Sequence, residues 1–410
     1  MTSIRAAILS PENPESVQWL PDALITIDES GSFSSVTPYA GEAVDHDMRG
    51  SVLLPGFIDT HIHYPQTRII GSASGPLLEW LDKTTFPEEA RFANPAYAAL
   101  IAKEFCQHLL KAGTTCSFIY GSVHASAAHI LFEELLQTGL RAIAGPVLMD
   151  TECPTELVVP VPEAMANLEE LMELWHNRAN RLQVAVIPRF ALSCSMEMMK
   201  AGAELAHNNG LWVSTHLAEN PDECAAARSL FGTEDYLKVY EEAGLVHSKS
   251  IFAHCIYLSD DELQRFSDAK AIVSHCPDSN LFLGSGGMPI QKLMDAEIPI
   301  TMGTDVAGGR SFRIPHALSR AYDNALSTGS RLSLPRLLWL GTRGAALALK
   351  QPHLGQIAPG CAADFIRVPM ETWVDSADDV FARLLFYAES QEIQETWIAG
   401  TRVWAGSNPR

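Results

Sequence analysis

The 410-residue chain has no run of basic residues. Lysine and arginine together number 29, against 49 aspartates and glutamates, so the formal net charge is −20. Proteins that bind nucleic acids use clustered lysine and arginine to neutralise phosphates. A chain this acidic is therefore not expected to have a nucleic-acid partner.

Long hydrophobic runs and paired cysteines are also lacking. No segment approaches the roughly 20 apolar residues that a membrane-spanning helix needs. The first residues, MTSIRAAILSPENPES, contain too short an apolar stretch for a signal peptide. The eight cysteines are scattered without a CxxC pair, which fits a reducing compartment where structural disulfides are rare. We predict a cytoplasmic protein that does not associate with membranes.

Both ends of the chain carry strand-like segments separated by glycine and proline. RAAILS, ALITID and FSSVT lie near the start, and LGQIAPGCAADFIRVP and IQETWIAGTRVWAG lie near the end. Alternating apolar and polar residues between Gly and Pro turns are typical of β-strands. We predict that residues 1–53 and 351–410 pair with each other into one small, discontinuous β-sandwich domain.

Between these ends, segments rich in Val, Ile and Phe alternate with stretches of helical periodicity such as PAYAALIAKEFCQHLLKAG. Alternation of that kind predicts βα units. Eight strand-like segments are present, the number that a TIM-type (β/α)8 barrel requires. The sequence therefore predicts an α/β fold with a barrel over residues 54–350. The eight segments are LLPGFIDTHIH, TTCSFIY, LRAIAGPVLMD, LQVAVIPRFAL, LWVSTH, IFAHC, AIVSHC and IPITMGTD.

Reactive side chains stand at the carboxyl ends of several of these segments. They are His61, His63, Arg189, His216, His254, His275 and Asp305. Because the carboxyl ends of barrel strands meet at one face, we expect these residues to share one site. His61 and His63 alternate with Ile62, so both imidazoles point to the same side of their strand. With His216 and Asp305 they would supply the three nitrogens and one oxygen of a catalytic zinc site.

Several neighbouring residues have both a structural and a functional interpretation. Asp59 lies on the same side of its strand as His61 and could be a ligand or a hydrogen-bond acceptor. His275 could be a ligand or a satisfied core histidine, and Asp278 could cap a turn. GSGG at 284–287 lacks the context of a phosphate-binding loop and predicts a flexible loop. AGG at 307–309 predicts a close backbone approach beside the metal site.

With these residues in place, the sequence resembles the amidohydrolase superfamily, and within it the guanine deaminases. The resemblance implies an amidohydrolase-type barrel with one Zn²⁺ per chain, held by His61, His63, His216 and Asp305. Nitrogen and oxygen ligands of this kind also accept Fe²⁺ or Mn²⁺. No lysine ends a barrel strand to bridge two metals, and the HxE and PCxxC motifs of cytidine deaminases are absent. The motifs that carry the resemblance, in the family's order, are PGFIDTHIHYPQ, LLEWLDKTTFPEE, VLMDTECP, PRFALSCS, THLAEN, HCPDSNLFLGSG and GTDVAGG.

The resemblance also implies a substrate site. Arg189 can donate to a purine carbonyl, and Gln66 can offer a donor and an acceptor to a ring edge. Phe190 can contribute an apolar wall. The implied substrate-binding positions are Gln66, Arg189, Phe190, His216, Glu219, His254 and Asp305.

The implied activity is the hydrolytic deamination of guanine to xanthine and ammonia. Asp305 is expected to accept a proton from the attacking water. Glu219 would pass protons to the ring nitrogen and the leaving ammonia, and His254 would steady the attacking oxygen. The implied partner is a small purine, the implied process is purine catabolism, and the implied assembly is a homodimer.

Two other functions stay open from the sequence. The chain could deaminate another aminated heterocycle, such as a pterin, cytosine, adenosine or a triazine. Thr151, Asp278 and Ala307 stand where the family pattern predicts Arg, Thr and Gly, so the substrate is less well determined than the chemistry. A non-catalytic barrel scaffold is a remote alternative, because every expected ligand and Glu219 are present.

Overall fold

A computed structural model of the chain describes residues 1–72, 75–370, 376–387 and 393–406. Strands and helices are numbered in chain order. The strands are β1 (Thr2–Asn13), β2 (Ser16–Ile27), β3 (Phe33–Pro38), β4 (His46–Pro55), β5 (Phe57–His63), β6 (Thr114–Tyr120), β7 (Arg141–Gly145), β8 (Val147–Leu148), β9 (Leu182–Pro188), β10 (Trp212–Leu217), β11 (Ser250–His254), β12 (Ile272–His275), β13 (Ile300–Met302), β14 (Phe365–Pro369), β15 (Glu395–Ile398) and β16 (Thr401–Ala405).

The α-helices follow the barrel strands in sequence, except for the last helix, which lies between two strands of the carboxyl-terminal segment. They are α1 (Leu77–Trp80), α2 (Phe86–Ala90), α3 (Pro95–Lys111), α4 (Ala125–Thr138), α5 (Val161–Trp175), α6 (Met196–Asn209), α7 (Pro221–Phe231), α8 (Tyr236–Glu242), α9 (Asp260–Asp268), α10 (Pro277–Phe282), α11 (Ile290–Asp295), α12 (Ile314–Ser327), α13 (Leu334–Gly341), α14 (Arg343–Ala348) and α15 (Ala377–Phe386).

Eight parallel strands form the barrel in the order β5, β6, β7, β9, β10, β11, β12 and β13, and the short β8 pairs with β9. The last strand returns to the first. Thr60 Oγ1 donates to the carbonyl oxygen of Met302 at 3.0 Å, and the backbone N–H of Asp305 donates to the carbonyl oxygen of His61 at 2.8 Å. The predicted (β/α)8 barrel is therefore confirmed.

Local sequence explains both the strands and the helix boundaries. Every residue of β6 is buried, as expected for a parallel strand that is covered on both faces. The side chain of Asn94 caps α3, and Pro95 takes its first position. Ser259 and Glu262 form a capping box at the start of α9. α6 ends at Asn209 and is followed by the cap residue Gly210, which adopts the left-handed conformation.

Strands from both ends of the chain form a second sheet, in the order β16, β15, β14, β4, β1, β2 and β3. Four strand spacings separate β14 from β3, which is about 19 Å in a flat sheet. The ring centroids of Phe365 and Phe33 are nevertheless 6.0 Å apart, and the Phe33 N–H donates to the carbonyl oxygen of Cys361 at 2.8 Å. The sheet therefore folds over onto itself around its own apolar core, which confirms the predicted β-sandwich.

One predicted strand is divided in the structure. The sequence predicts a single strand over LLPGFIDTHIH, but β4 of the sandwich ends at Pro55 and β5 of the barrel begins at Phe57. A Cβ atom on Gly56 would lie 2.3 Å from the side chain of Thr115. A larger residue would have to displace Thr115 at the point where the chain passes from the sandwich into the barrel.

Some sequence predictions fall partly outside the described residues. Residues 371–375, 388–392 and 407–410 of the predicted carboxyl-terminal segment belong to this part. Within the described ranges, none of the helices is both long and apolar enough to cross a bilayer. All eight cysteines are free thiols, and seven of them are buried.

Candidate active site

His61, His63, His216 and Asp305 meet at the carboxyl end of the barrel, and their ligand atoms all lie within 4.8 Å of one another. The Nε2 atom of His63 is 3.2 Å from the Nε2 atoms of both His61 and His216. Asp305 Oδ1 is 3.2 Å from His61 Nε2 and 3.3 Å from His63 Nε2. Tetrahedral ligands at ordinary zinc distances are separated by roughly 3.3 Å. The cluster therefore has the dimensions of a four-ligand metal site.

Burial keeps the three imidazoles in the neutral form that binds metals. Desolvation lowers the pKa of His63 to about 4, and it holds the pKa of His61 and of His216 below the ordinary histidine value. Only an unprotonated imidazole nitrogen can bind a metal ion. Three imidazole nitrogens and one carboxylate oxygen thus converge as hydrogen-bond acceptors, with no donor hydrogens between them. A cation bound at the centre would interact favourably with all four atoms.

Hydrogen bonds behind the ligands hold them in place. His216 Nδ1–H donates to the carbonyl oxygen of Arg189 at 2.6 Å, which leaves Nε2 facing the cluster. Asp59 Oδ1 accepts from the backbone N–H groups of His61 at 3.2 Å and Thr304 at 3.1 Å. Asp59 thus joins β5 to the segment after β13. Of the two interpretations of Asp59, the structure supports the hydrogen-bond acceptor.

Glu219 and His254 lie beside the ligand cluster. Glu219 Oε2 is 3.4 Å from His254 Nε2, and that nitrogen is 3.9 Å from Asp305 Oδ2. Burial raises the pKa of Glu219 to about 8, and the charge of Asp305 acts in the same direction. Glu219 can therefore carry a proton near neutral pH, which suits a general acid.

The segment after β12 supports both of these residues, a role that sequence reasoning missed. His254 Nδ1–H donates to Asn280 Oδ1 at 2.7 Å, and Ser285 Oγ donates to Glu219 Oε1 at 3.0 Å. The Ser285 N–H donates to the carbonyl oxygen of Asn280 at 2.8 Å, and Ser285 is fully buried. GSGG is a loop, as predicted, and its Ser285 is packed against the site. The motif HCPDSNLFLGSG contained both residues, but nothing local showed which side chains they would face.

A cavity opens beside the cluster of His63, His216 and Asp305. All seven predicted substrate-binding residues line it. An apolar wall completes it, and no role was predicted for its residues, although several lie in the motif LLEWLDKTTFPEE. These apolar residues are Leu77, Trp80, Leu81 and Leu283.

Glu89 links the two polar residues at one side of this cavity. Arg189 Nη1 donates to Glu89 Oε2 at 2.6 Å, and Gln66 Nε2 donates to Glu89 Oε1 at 3.1 Å. The Ala307 N–H donates to Gln66 Oε1 at 3.0 Å. Sequence reasoning missed Glu89 because a glutamate in a charged FPEE segment is usually exposed on a helix surface.

His275 and Asp278, whose roles stayed open from the sequence, lie outside the ligand cluster. His275 is buried, and neither of its ring nitrogens has a hydrogen-bond partner among the described residues. Asp278 accepts from the Arg310 N–H at 2.6 Å and lies 3.1 Å from His316 Nε2. Asp278 therefore anchors the chain after β13 and does not line the cavity.

Residues 52–403 match the model of the Amidohydrolase family. The chain belongs to the amidohydrolase family. Guanine deaminase from Escherichia coli (strain K12) is 36% identical to this amidohydrolase over 371 residues, which cover 87% of this chain and 84% of that protein. The predicted resemblance to the amidohydrolases and to their guanine deaminase branch is therefore confirmed.

Solved structures of guanine deaminases are also similar to this amidohydrolase. The structure of E. coli guanine deaminase matches with a TM-score of 0.93 at 33% sequence identity, covering 99% of this chain and 100% of that chain. A guanine deaminase from C. acetobutylicum with guanine bound in its active site matches with a TM-score of 0.93 at 26% identity, covering 98% and 100%.

Proposed function

We propose that this amidohydrolase hydrolyses guanine to xanthine and ammonia, with one Zn²⁺ ion per chain. The observation that carries the proposal is the convergence on one cavity of a four-ligand cluster, a proton-carrying Glu219, and the Arg189 and Gln66 side chains. The likeness to guanine deaminases over most of the chain, one of them with guanine bound, supports the choice of substrate.

The donor set supports zinc as the metal. His61, His63 and His216 offer neutral nitrogens and Asp305 offers a carboxylate, the ligand types of catalytic zinc. The same ligands accept Fe²⁺, so metal availability contributes to the choice. A divalent ion bound here supplies a hydroxide nucleophile from water at neutral pH.

Three side chains of the protein handle the protons of the reaction. The Asp305 carboxylate accepts a proton from the attacking water. Glu219 donates its proton to the ring nitrogen beside the reacting carbon. It then takes up the second water proton from the hydroxyl group of the tetrahedral carbon and delivers it to the leaving amine. The proton held by Asp305 afterwards returns Glu219 to its protonated form. Asn280 engages Nδ1 of His254, so Nε2 faces the attacking oxygen and steadies it by a hydrogen bond.

Substrate recognition combines buried polar groups with apolar walls. Arg189 donates to the ring carbonyl, and Gln66 pairs with a donor and an acceptor on the ring edge. Phe190 and Trp80 contribute apolar surface to the same cavity. A heterocycle that leaves these buried polar groups unpaired binds more weakly, which favours guanine over cytosine or a triazine.

We also propose a cytoplasmic homodimer that acts in purine catabolism. We propose domain limits at Gly56, since β4 pairs with β14 as far as Pro55, and at 350/351. The eight free cysteines support a reducing compartment. The products xanthine and ammonia support a catabolic role, and the homodimer rests on the family resemblance alone.

Ammonia release from a panel of amines tests the proposed reaction. The panel contains guanine, a pterin, cytosine, adenosine and an aminotriazine. We expect guanine to show the highest kcat/KM and the purified protein to contain one zinc per chain. Chelation should abolish ammonia release, and added Zn²⁺ should restore it. Faster release from another amine, or full activity in verified metal-free protein, would overturn the substrate or the metal respectively.

A further inference from the structure

We propose that Glu89 determines the purine selectivity of this site by orienting Arg189 and Gln66, without contacting the substrate itself. The inference rests on the proposed guanine deamination. Arg189 and Gln66 line the cavity, whereas Glu89 lies behind them and is fully buried. Its carboxylate bridges the two side chains that read the purine.

Helix α2 constrains the Arg189 guanidinium from two directions. Glu89 Oε2 accepts from Nη1 at 2.6 Å, and the ring centroid of Phe86 lies 5.4 Å from the Arg189 Cζ atom. Phe86 and Glu89 both lie on this short helix. Because one edge of the guanidinium is committed to Glu89, its remaining N–H donors are available to a ring carbonyl in the cavity.

Glu89 and the Ala307 N–H together decide which way the Gln66 amide faces. The Glu89 carboxylate can only accept, and the Ala307 N–H can only donate, so Gln66 must direct Nε2 to Glu89 and Oε1 to Ala307. One N–H and one lone pair of Gln66 remain for the substrate. Their order along the cavity wall is thus determined by Glu89 and Ala307, neither of which lines the cavity.

Glu88 is a natural control for Glu89. It precedes Glu89 on α2 and is also buried, with 7% of its surface exposed against 0% for Glu89. Its carboxylate faces away from the cavity, accepting from Arg91 Nη1 at 2.7 Å and from the Tyr97 hydroxyl. A substitution at Glu88 therefore changes the charge of the same buried helix without changing the cavity wall.

The variants E89Q and E88Q separate selectivity from folding. In E89Q, the new amide N–H must face either Arg189 or Gln66, and both of these groups donate. We expect KM for guanine to rise by roughly 10- to 100-fold, with a much smaller change in kcat because the proton-handling groups are untouched. E88Q should keep the wild-type KM.

Binding of two unreactive analogues gives a second measurement. Hypoxanthine has the ring carbonyl and purine lacks it. The wild-type protein should bind hypoxanthine more tightly than purine, and E89Q should reduce this preference by roughly tenfold or more, the cost of a poorly oriented charged hydrogen bond. A residue with only a structural role would weaken both inhibitors equally.

The outcomes distinguish this inference from the proposed function. If the wild-type protein releases no ammonia from guanine, both fail together. If the wild type is active but E89Q keeps the wild-type preference for hypoxanthine over purine, the role of Glu89 alone is overturned. Should E89Q not fold, E89D moves the carboxylate back by one methylene. A reduced preference in E89D supports the inference, and an unchanged preference overturns it.

Discussion

Glu219 is held at its backbone and at its side chain. Its N–H donates to Glu223 Oε2 at 2.8 Å, and its carboxylate accepts from Ser285 Oγ at 3.0 Å. Burial, with the nearby charge of Asp305, favours the protonated form. The side chain is thus both positioned and protonated before a substrate arrives, as general acid catalysis requires.

Replacing Glu219 by Gln should slow guanine turnover by roughly 10²- to 10⁴-fold. The amide retains the size of the side chain and can still accept from Ser285, but it cannot transfer the proton. The measurement is kcat together with the metal content per chain, which should equal that of the wild type because Glu219 is not a ligand. A variant with undiminished turnover would show that another group carries the proton.

The raised pKa of Glu219 predicts an alkaline limb in the pH profile. The protonated form donates, and it is lost as the pH rises through about 8, so kcat/KM should fall above that value. The Ser285 hydroxyl stabilises the carboxylate, so S285A should raise the pKa and move the limb to higher pH. Profiles of both proteins from about pH 6 to pH 10 check the sign. A limb that moves to lower pH in S285A contradicts this assignment.

The segment that follows β13 determines where Asp305 stands. The Gly309 N–H donates to the carbonyl oxygen of Asp305 at 2.6 Å. A Cβ atom on Gly309 would lie 1.8 Å from the carbonyl oxygen of Thr304, and one on Gly308 would lie 3.3 Å from Asp305 Oδ2. The close backbone approach predicted for AGG is therefore confirmed. The chain turns back so tightly that the position of Asp305 depends on glycine, which has no side chain, at 308 and 309.

Replacing Gly309 by Ala should displace Thr304 and the adjacent Asp305. We expect metal affinity to fall by roughly 10- to 100-fold, the usual loss when the support of a ligand is disturbed. Competition with a chelator of known affinity measures the change. G406A is a suitable control, because a Cβ there would lie 3.4 Å from the Trp404 ring and 3.8 Å from two backbone oxygens, which are ordinary contacts. Wild-type metal affinity in G309A would mean that the turn can relax.

Arg141 and Asp364 connect the barrel to the sandwich. Arg141 begins β7, and its Nε and Nη2 atoms donate to the two carboxylate oxygens of Asp364 at 2.6 and 3.2 Å. The side chains are only 11% and 3% exposed, and Asp364 also accepts from the Ala399 N–H. Because Arg141 lies at the amino end of its strand, this contact is on the face of the barrel opposite the active site.

Asp364→Asn should lower the free energy of unfolding by about 3–5 kcal/mol, because it leaves a buried arginine without its counter-charge. Urea denaturation measures the loss, and kcat of the folded variant should stay close to wild type. D47N breaks the exposed pair with Arg49 and should have no measurable effect, since solvent screens such pairs. Equal stability of D364N and wild type would show that the two domains do not depend on this contact.

The order of the elements and the convergence of His61, His63, His216 and Asp305 could be predicted from the sequence. Apolar strand segments and the alternation of His61, Ile62 and His63 are properties of consecutive residues, and a count of eight βα units specifies the barrel. Once the barrel is predicted, its parallel strands bring His216 and Asp305 to the same end. This is why the four residues of the proposed metal site could be grouped before any contact was known.

Only the tertiary structure decided which groups support that site. Glu89 meets Arg189 across 100 residues, Ser285 meets Glu219 across 66, and Asp59 is engaged by a threonine 245 residues away. No periodicity encodes these pairs, because each forms only when barrel closure and the loop paths bring distant backbone segments together. The sequence therefore determined the fold and the reactive residues, and long-range packing determined their orientation and the shape of the cavity.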